Sequence, residues 1–354
     1  FLNFIIKNKL MKKNLFITFP VDAGMKASEN SYQKIFEKKF NFESFAYRNE
    51  KNNNIFNESI RKKRYRFLAS FKLRAKIREY TKKKELVIFH GLSPMIYSFG
   101  SYNFSNTILC LDATRALFDF AIKKKNKKDF AYYVHKFLLK RIPKILCWTE
   151  PVVEMLNKYY KVPSENLFKV SAPIIISDFK MFPRKTPTKP NVLFIGREYT
   201  RKGGDMIINN LEKLEANCNL TMVTNDMRAN IPNVNYFDAK LTKEKILNLY
   251  QTHDILILPT KFDPYGFVLA EGAAAGLAVI TTKFALGSRD IVENNKTGLI
   301  VDSQVDCLNA LAKIIKNPKE IDRFKFAAYH KMQLEFNKSE IYNDYMRIIN
   351  PSEF

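Results

Sequence analysis

Two parallel-sheet α/β domains in tandem are what this sequence predicts, on three observations. Apolar strand-like runs alternate with longer helical patterns along nearly the whole chain, the signature of parallel sheets covered on both faces. A length of 354 residues suits two domains at roughly 100 to 200 residues each. After Ser177 the text turns to DFKMFPRKTPTKP, rich in Pro and Lys, before a clean strand NVLFIG begins, which marks the boundary.

Taken in order, strands are expected near Leu15 to Phe19, Phe42 to Tyr47, Leu86 to Phe89, Thr107 to Leu111 and Ile145 to Trp148. Helices fill the intervals, among them a long basic one from about Asn57 to Tyr80. The second half repeats the alternation with strands at Val192 to Ile195, Leu220 to Val223, Asp254 to Leu258, Ala278 to Thr282 and Leu299 to Val301. Helices around Lys319 to Phe336 and Lys338 to Ile349 have no strand after them. The expected division is a first domain over 1–180, a second over 181–336, and a C-terminal helix over 337–354 that packs back on the first domain by fold analogy.

Bulk properties narrow the class. A hydrophobic content of 46% with only 11 Gly and 14 Pro excludes disorder and collagen-like repeats. No run of about 18 uncharged apolar residues occurs, so no membrane-spanning helix is expected and the reading is a cytoplasmic protein. The opening FLNFIIKNKL lacks the apolar core and small-residue cleavage site of a signal peptide. Met11, followed by two lysines and a strand-like run, is read as the natural start, with residues 1–10 an upstream extension. Cys110, Cys147, Cys218 and Cys307 are far apart without C-x-x-C spacing, which speaks against a zinc or redox motif.

Net charge is +24, and residues 1–190 hold 39 Lys and Arg against 15 Asp and Glu while the remainder holds 20 against 20. The excess concentrates in Arg61 to Arg66, Lys72 to Arg78, Lys82 to Lys84 and Lys123 to Lys128. Two readings stay open: a solvated lysine-rich surface, or an anionic partner such as a lipid surface, a phosphorylated acceptor or nucleic acid.

Two segments carry chemistry. In FIGREYTRKGGDMIINNL a buried strand ends at Gly196, Arg197, Arg201 and Lys202 follow, and Gly203-Gly204 open a helix. A helix start beside such cations suits an anion, and a diphosphate fits. In ILILPTKFDPYGFVLAEGAAAGLAVITT a strand ends at Pro259, a loop carries Asp263, Tyr265 and Gly266, and a helix of small residues holds Glu271. The backbone amides of Gly266, Phe267 and Val268 again aim where a phosphate could sit. Asp263 and Glu271, eight positions apart, can face one pocket from two heights. An ordinary helix-start charge accounts equally for Asp263, whereas an unpaired Glu271 among Ala and Gly would be costly.

GREYTRKGGD, DPYGFVLAEGAAAGLAVI and the NNKTGLIVD ending at Asp302 together resemble the retaining glycosyltransferases of the two-domain GT-B fold, group 1 or family 4. The likeness is strong over about residues 191 to 302 and weak before. It implies two Rossmann-like domains with an interdomain cleft, a nucleotide-sugar donor, retention of configuration and no metal. It places Arg197 and Lys202 on the donor diphosphate, Asp263 near the sugar hydroxyls and Glu271 on the ribose. Two departures stand out. The first acid is Asp where the family has Glu, and Leu286-Gly287 stand where it has Gly-Gly. In the first domain the family's Gly-rich loop reads PVDAGMKASEN, with only Gly24, and its His after a middle strand is replaced by Asp112. Asp112 reads as an acceptor-side group or as a cap of the helix near Thr114. His90, after another strand, is either structural or at the ligand-binding end of the sheet.

The resulting expectation is transfer of a sugar to a glycan or lipid-linked acceptor in cell-envelope polysaccharide or lipopolysaccharide synthesis, without a cofactor, on or near the inner membrane face. Its rivals are an epimerase of similar architecture, a degenerate non-catalytic relative and a nucleic-acid-binding protein. The last is disfavoured because the basic runs have few interleaved aromatics and no recognised module.

Overall fold

The computed structural model describes residues 14–18, 23–44, 71–123, 128–179, 183–214, 217–225 and 231–353. The chain divides into two compact units, one of residues 1–117, 126–173 and 341–354, the other of residues 118–125 and 174–340. Each is built on a six-stranded sheet whose pairings are all parallel. The basic run at 61–66, residues 57–70 of the expected long helix and residues 124–127 lie outside the described residues; that helix is present over 71–82.

The first sheet comprises β1 (Asn14–Thr18), β2 (Phe40–Ser44), β3 (Val87–His90), β4 (Thr107–Leu111), β5 (Lys144–Cys147) and β6 (Leu167–Lys169), in the order β2-β1-β3-β4-β5-β6. The second comprises β7 (Asn191–Ile195), β8 (Asn219–Thr224), β9 (Val234–Asp238), β10 (Ile255–Leu258), β11 (Ala278–Thr282) and β12 (Gly298–Val301), in the order β12-β11-β10-β7-β8-β9. That second order, counted from β7, is the dinucleotide-binding arrangement 3-2-1-4-5-6.

Strands buried on both faces read as unbroken apolar runs, which is why β4, β10 and β11, buried at every residue, stand out in the sequence. Two strands were not legible there. β6 and β9 each stand at one edge of their sheet, like β2 and β12 at the other, but unlike those two neither β6 nor β9 has a single buried residue. An edge strand loses the two-sided burial that produces a continuous apolar run.

Within the first unit, residues 341–349 of the helix Lys338–Ile349 include the buried Ile341, Tyr345, Met346 and Ile349. Tyr345 Oη lies 3.1 Å from Tyr32 Oη, and Trp148 Nε1 donates to that same Tyr32 oxygen at 3.0 Å. Lys144 Nζ donates to the Ile348 carbonyl at 2.6 Å, so the helix is held to β5 at its far end. Among the described residues, no helix is long and apolar enough to cross a membrane.

The second unit is organised by one buried acid. Asp254, immediately before β10, accepts from Lys325 Nζ at 2.9 Å, Arg184 Nη2 at 2.8 Å and the Asn191 amide at 2.9 Å. Lys325 is itself 1% exposed and also donates to the Arg184 carbonyl at 2.6 Å. Burial pushes the Lys325 pKa down, and Asp254 opposes that shift. Asp254 thus ties the starts of β7 and β10 to the helix Pro318–Glu335. Asp254→Ala should lower the unfolding free energy by about 3 to 5 kcal/mol, because it leaves a buried cation uncompensated; denaturant unfolding of the purified variant measures this.

Candidate functional site

The sheet order sets the site. Winding reverses between β7 and its neighbour β10, so the connections leaving these two strands at their carboxyl ends diverge and leave a crevice between them. Both sequence motifs are those connections. The first runs from Gly196 through the one-turn helix Tyr199–Lys202, and the second from Pro259 through Asp263 into the helix Phe267–Ala274.

These loops are laced together. Lys202 Nζ forms an ion pair with Asp263 Oδ2, with side chains 15% and 10% exposed. Arg201 grips Glu198 through Nε at 2.7 Å and Nη2 at 2.6 Å and also donates to the Phe262 carbonyl. The Arg201 carbonyl receives the Lys261 amide at 2.8 Å. Residues 61 positions apart in the chain thereby become one cationic and acidic cluster. Arg197 is exposed beside it and, with Glu198, Tyr199, Thr200, Arg201 and Asn225, lines an open depression of about 430 Å³.

Glycine makes the approach possible. Gly203 has φ +87°, and a Cβ there would fall 2.1 Å from the Pro259 carbonyl oxygen. A Cβ on Gly196 would fall 2.7 Å from Lys202 Cβ, which is why the strand ends in Gly beneath the lysine. Gly266 adopts φ +89° at the start of the helix Phe267–Ala274, whose first turn has no side-chain cap. The Leu269 amide bonds the Gly266 carbonyl at 2.8 Å.

Asp263 is positioned by backbone as well as by Lys202. Its amide donates to the Phe284 carbonyl and its carbonyl receives the Leu286 amide, both at 2.9 Å, while its Oδ1 accepts the Tyr265 amide at 3.3 Å. The loop after β10 is therefore strapped to the loop after β11. The Tyr265 ring is 2% exposed, and Gly287 lies so close that a Cβ there would come within 2.7 Å of the ring. Tyr265 thus supports the loop from beneath, whereas Phe267 and Val268 stand half-buried at the helix start.

Glu271 is half-buried and has a partner that no motif indicated: Tyr250 Oη, on the helix Lys243–Thr252, donates to its Oε2 at 2.8 Å. Burial pushes the Glu271 pKa up, while the Tyr250 hydroxyl and the Lys243 charge oppose it. Tyr250 is separated from Glu271 by a strand and a loop, and nothing local in sequence marks the pairing.

Asp112 and His90 belong to the first unit, and the cluster of Lys202 and Asp263 belongs to the second. Asp112 Oδ1 accepts the Ala113 amide at 2.8 Å, and the Leu117 amide donates to Thr114 Oγ1 at 3.2 Å. Because the helix begins at Arg115, the capping oxygen is that of Thr114, correcting the reading of Asp112 as the cap. His90 ends β3, is 1% exposed, and has its ring 5.3 Å from Trp148 and 5.2 Å from Tyr32. Burial drives its pKa down to about 4, with Glu29 opposing, so the ring is neutral at pH 7. Among the described residues, no group of three or more His, Cys, Asp or Glu is placed to hold a metal.

A sheet in the dinucleotide-binding order with a cationic and acidic cluster at its switch point defines a Rossmann-like α/β protein. Residues 177–331 match the family described as glycosyl transferases group 1. An uncharacterised glycosyltransferase of Methanocaldococcus jannaschii is 25% identical over 122 residues, covering 31% of each chain. The chain spans less than half the length of the curated relatives it matches, 31% and 46%. Among solved structures, HepE of Anabaena in complex with UDP-glucose superposes with a TM-score of 0.71 at 13% identity over 96% of this chain and 99% of that one. WaaG, a glycosyltransferase involved in lipopolysaccharide biosynthesis, gives 0.66 at 16% identity over 95% and 99%. The fold is that of the GT-B glycosyltransferases.

Gly203→Ala should unfold at lower denaturant than Gly100→Ala. Both require a left-handed backbone, but only the former drives a methyl into a carbonyl, whereas nothing lies within 4 Å of a Cβ at Gly100. The left-handed conformation alone costs roughly 1 to 2 kcal/mol, and the clash adds to it.

Proposed function

We propose that this protein is a retaining glycosyltransferase of the family 4 type that takes a sugar from a nucleotide-diphosphate donor without a metal. The observation that carries the reading is the Lys202–Asp263 pair at the carboxyl ends of adjacent strands β7 and β10. Lys202, Arg197 and the uncapped helix start after Gly266 hold the diphosphate and stabilise the charge that grows on it as the glycosidic bond breaks. Preorganised donors of this kind act where charge develops and need no reorganisation during the step. Asp263 meets the donor sugar hydroxyls, with Lys202 bridging it to the phosphates. Glu271, oriented by Tyr250, holds the ribose.

The acceptor is a glycan or lipid-linked glycan of the cell envelope, a reading supported by the likeness to a transferase of lipopolysaccharide biosynthesis. Asp112, at the carboxyl end of β4, is the acceptor-side polar group. The basic excess of the first 190 residues draws the protein to an anionic membrane face where such an acceptor is presented.

A thermal-shift panel of sugar nucleotides should identify the donor, because a ligand that binds only the folded state raises its stability. With that donor, the double variant Arg197→Ala and Lys202→Ala should lose at least about 100-fold in kcat/KM. Turnover within a few-fold of wild type would remove the phosphate assignment. Product analysis by NMR should show a retained anomeric configuration, and donor consumed without any acceptor product would point to epimerisation instead.

A further inference from the structure

The helix Phe130–Leu139 carries apolar side chains on its outward side as well as on its buried one. Tyr132, Leu138 and Leu139 face the core of the first unit and are buried. On the opposite side Phe130, Tyr133 and Phe137, spaced three and four residues apart, are 84%, 58% and 42% exposed. Phe99, 50% exposed, adds its ring to the stripe 6.1 Å from that of Phe137. Four exposed aromatics in one stripe make a patch that water disfavours and a partner would cover.

The charges around the stripe name the partner. The Arg141 guanidinium lies 3.6 Å from the Phe137 ring centroid and Lys136 Nζ lies 5.7 Å from the Tyr132 ring, with Lys140 exposed at the helix end. From Phe130 to Arg141 there is no Asp or Glu, and in the sequence KKKNKK, residues 123–128, comes shortly before the helix. The nearest acid, Asp129, caps the helix through the Tyr132 amide at 3.1 Å and pairs with Arg115 at 2.8 Å. Aromatic rings with cations at their rim match the boundary between headgroups and acyl chains, where rings sit at the interface and Lys and Arg reach anionic phosphates.

We infer that the outward face of this helix, with Phe130, Tyr133 and Phe137 rimmed by Lys136, Lys140 and Arg141, docks on an anionic lipid surface. This rests on the membrane reading of the charge excess and is independent of the donor chemistry. The rings enter the interface while the cations hold the headgroups, so attachment requires both.

The full chain should sediment with vesicles of phosphatidylglycerol and phosphatidylcholine and stay in solution with phosphatidylcholine alone. The triple variant Phe130→Ser, Tyr133→Ser and Phe137→Ser should reduce the vesicle-bound to free ratio at least tenfold. Leu334→Ser, an equally exposed apolar position of the other unit at 77%, should leave it within twofold. Circular dichroism and the donor's thermal shift should match wild type in both, which separates this inference from the glycosyltransferase reading. In Phe130→Trp, brominated lipids should quench the new indole, against the constant background of Trp148, which is 1% exposed. Vesicle binding that is absent in the wild type, or unchanged in the triple variant, overturns the inference. So does light scattering that shows a wild-type dimer dissolved by the triple substitution without loss of vesicle binding.

Discussion

The adjacency of β7 and β10 in a parallel sheet is the constraint on which the candidate site depends. Parallel neighbours end on the same edge, so whatever follows them meets there regardless of separation along the chain. This brings the loops that carry Lys202 and Asp263 to one edge, the glycines let them approach, and the remaining bonds between the two loops hold the contact in register. A long flexible lysine set against a short acid would pay a large side-chain entropy in isolation. Here the neighbouring Arg201, clamped to Glu198 and to the Phe262 carbonyl, has already ordered the backbone from which Lys202 extends.

Behind that edge, the second unit uses two unlike devices to keep the strands in place. At the amino ends of β7 and β10, Asp254 gathers Lys325, Arg184 and the Asn191 amide, a fully buried charge satisfied from several directions. At the carboxyl ends, the fit is steric: Gly196, Gly203 and Gly287 allow approaches that any Cβ would block. The polar device fixes where the strands begin, and the steric one lets the loops close over their ends. The Leu286 amide bonds the Asp263 carbonyl, and this backbone contact, which any residue but Pro would supply, straps the loops after β10 and β11 together.

Much of the fold was legible because burial on both faces leaves a local mark. The central strands β4 and β11 appear in the sequence with the same bounds as in the structure, TILCL and AVITT. The edge strands β6 and β9, with no buried residue, left no such mark, since they carry residues such as Lys169, Asn235 and Asp238 that also suit a loop. At the site, Asp263 and Lys202 were legible as residues but their pairing was not. Tyr250 was missed because it sits in an ordinary helix, and only Glu271 gives its hydroxyl a purpose.

From the sequence by itself came the α/β class, the two-part organisation, the two segments that follow β7 and β10, and the one-sided distribution of charge. Each is a property of local periodicity, spacing or composition, written into neighbouring residues. Only the tertiary structure decided that Thr114 and not Asp112 caps its helix, that His90 is an enclosed neutral ring, and that the Phe130, Tyr133 and Phe137 stripe faces outward. Those outcomes depend on which surface of each element another element covers. Strand order and helix orientation settle that across tens to hundreds of residues, beyond the reach of any local pattern.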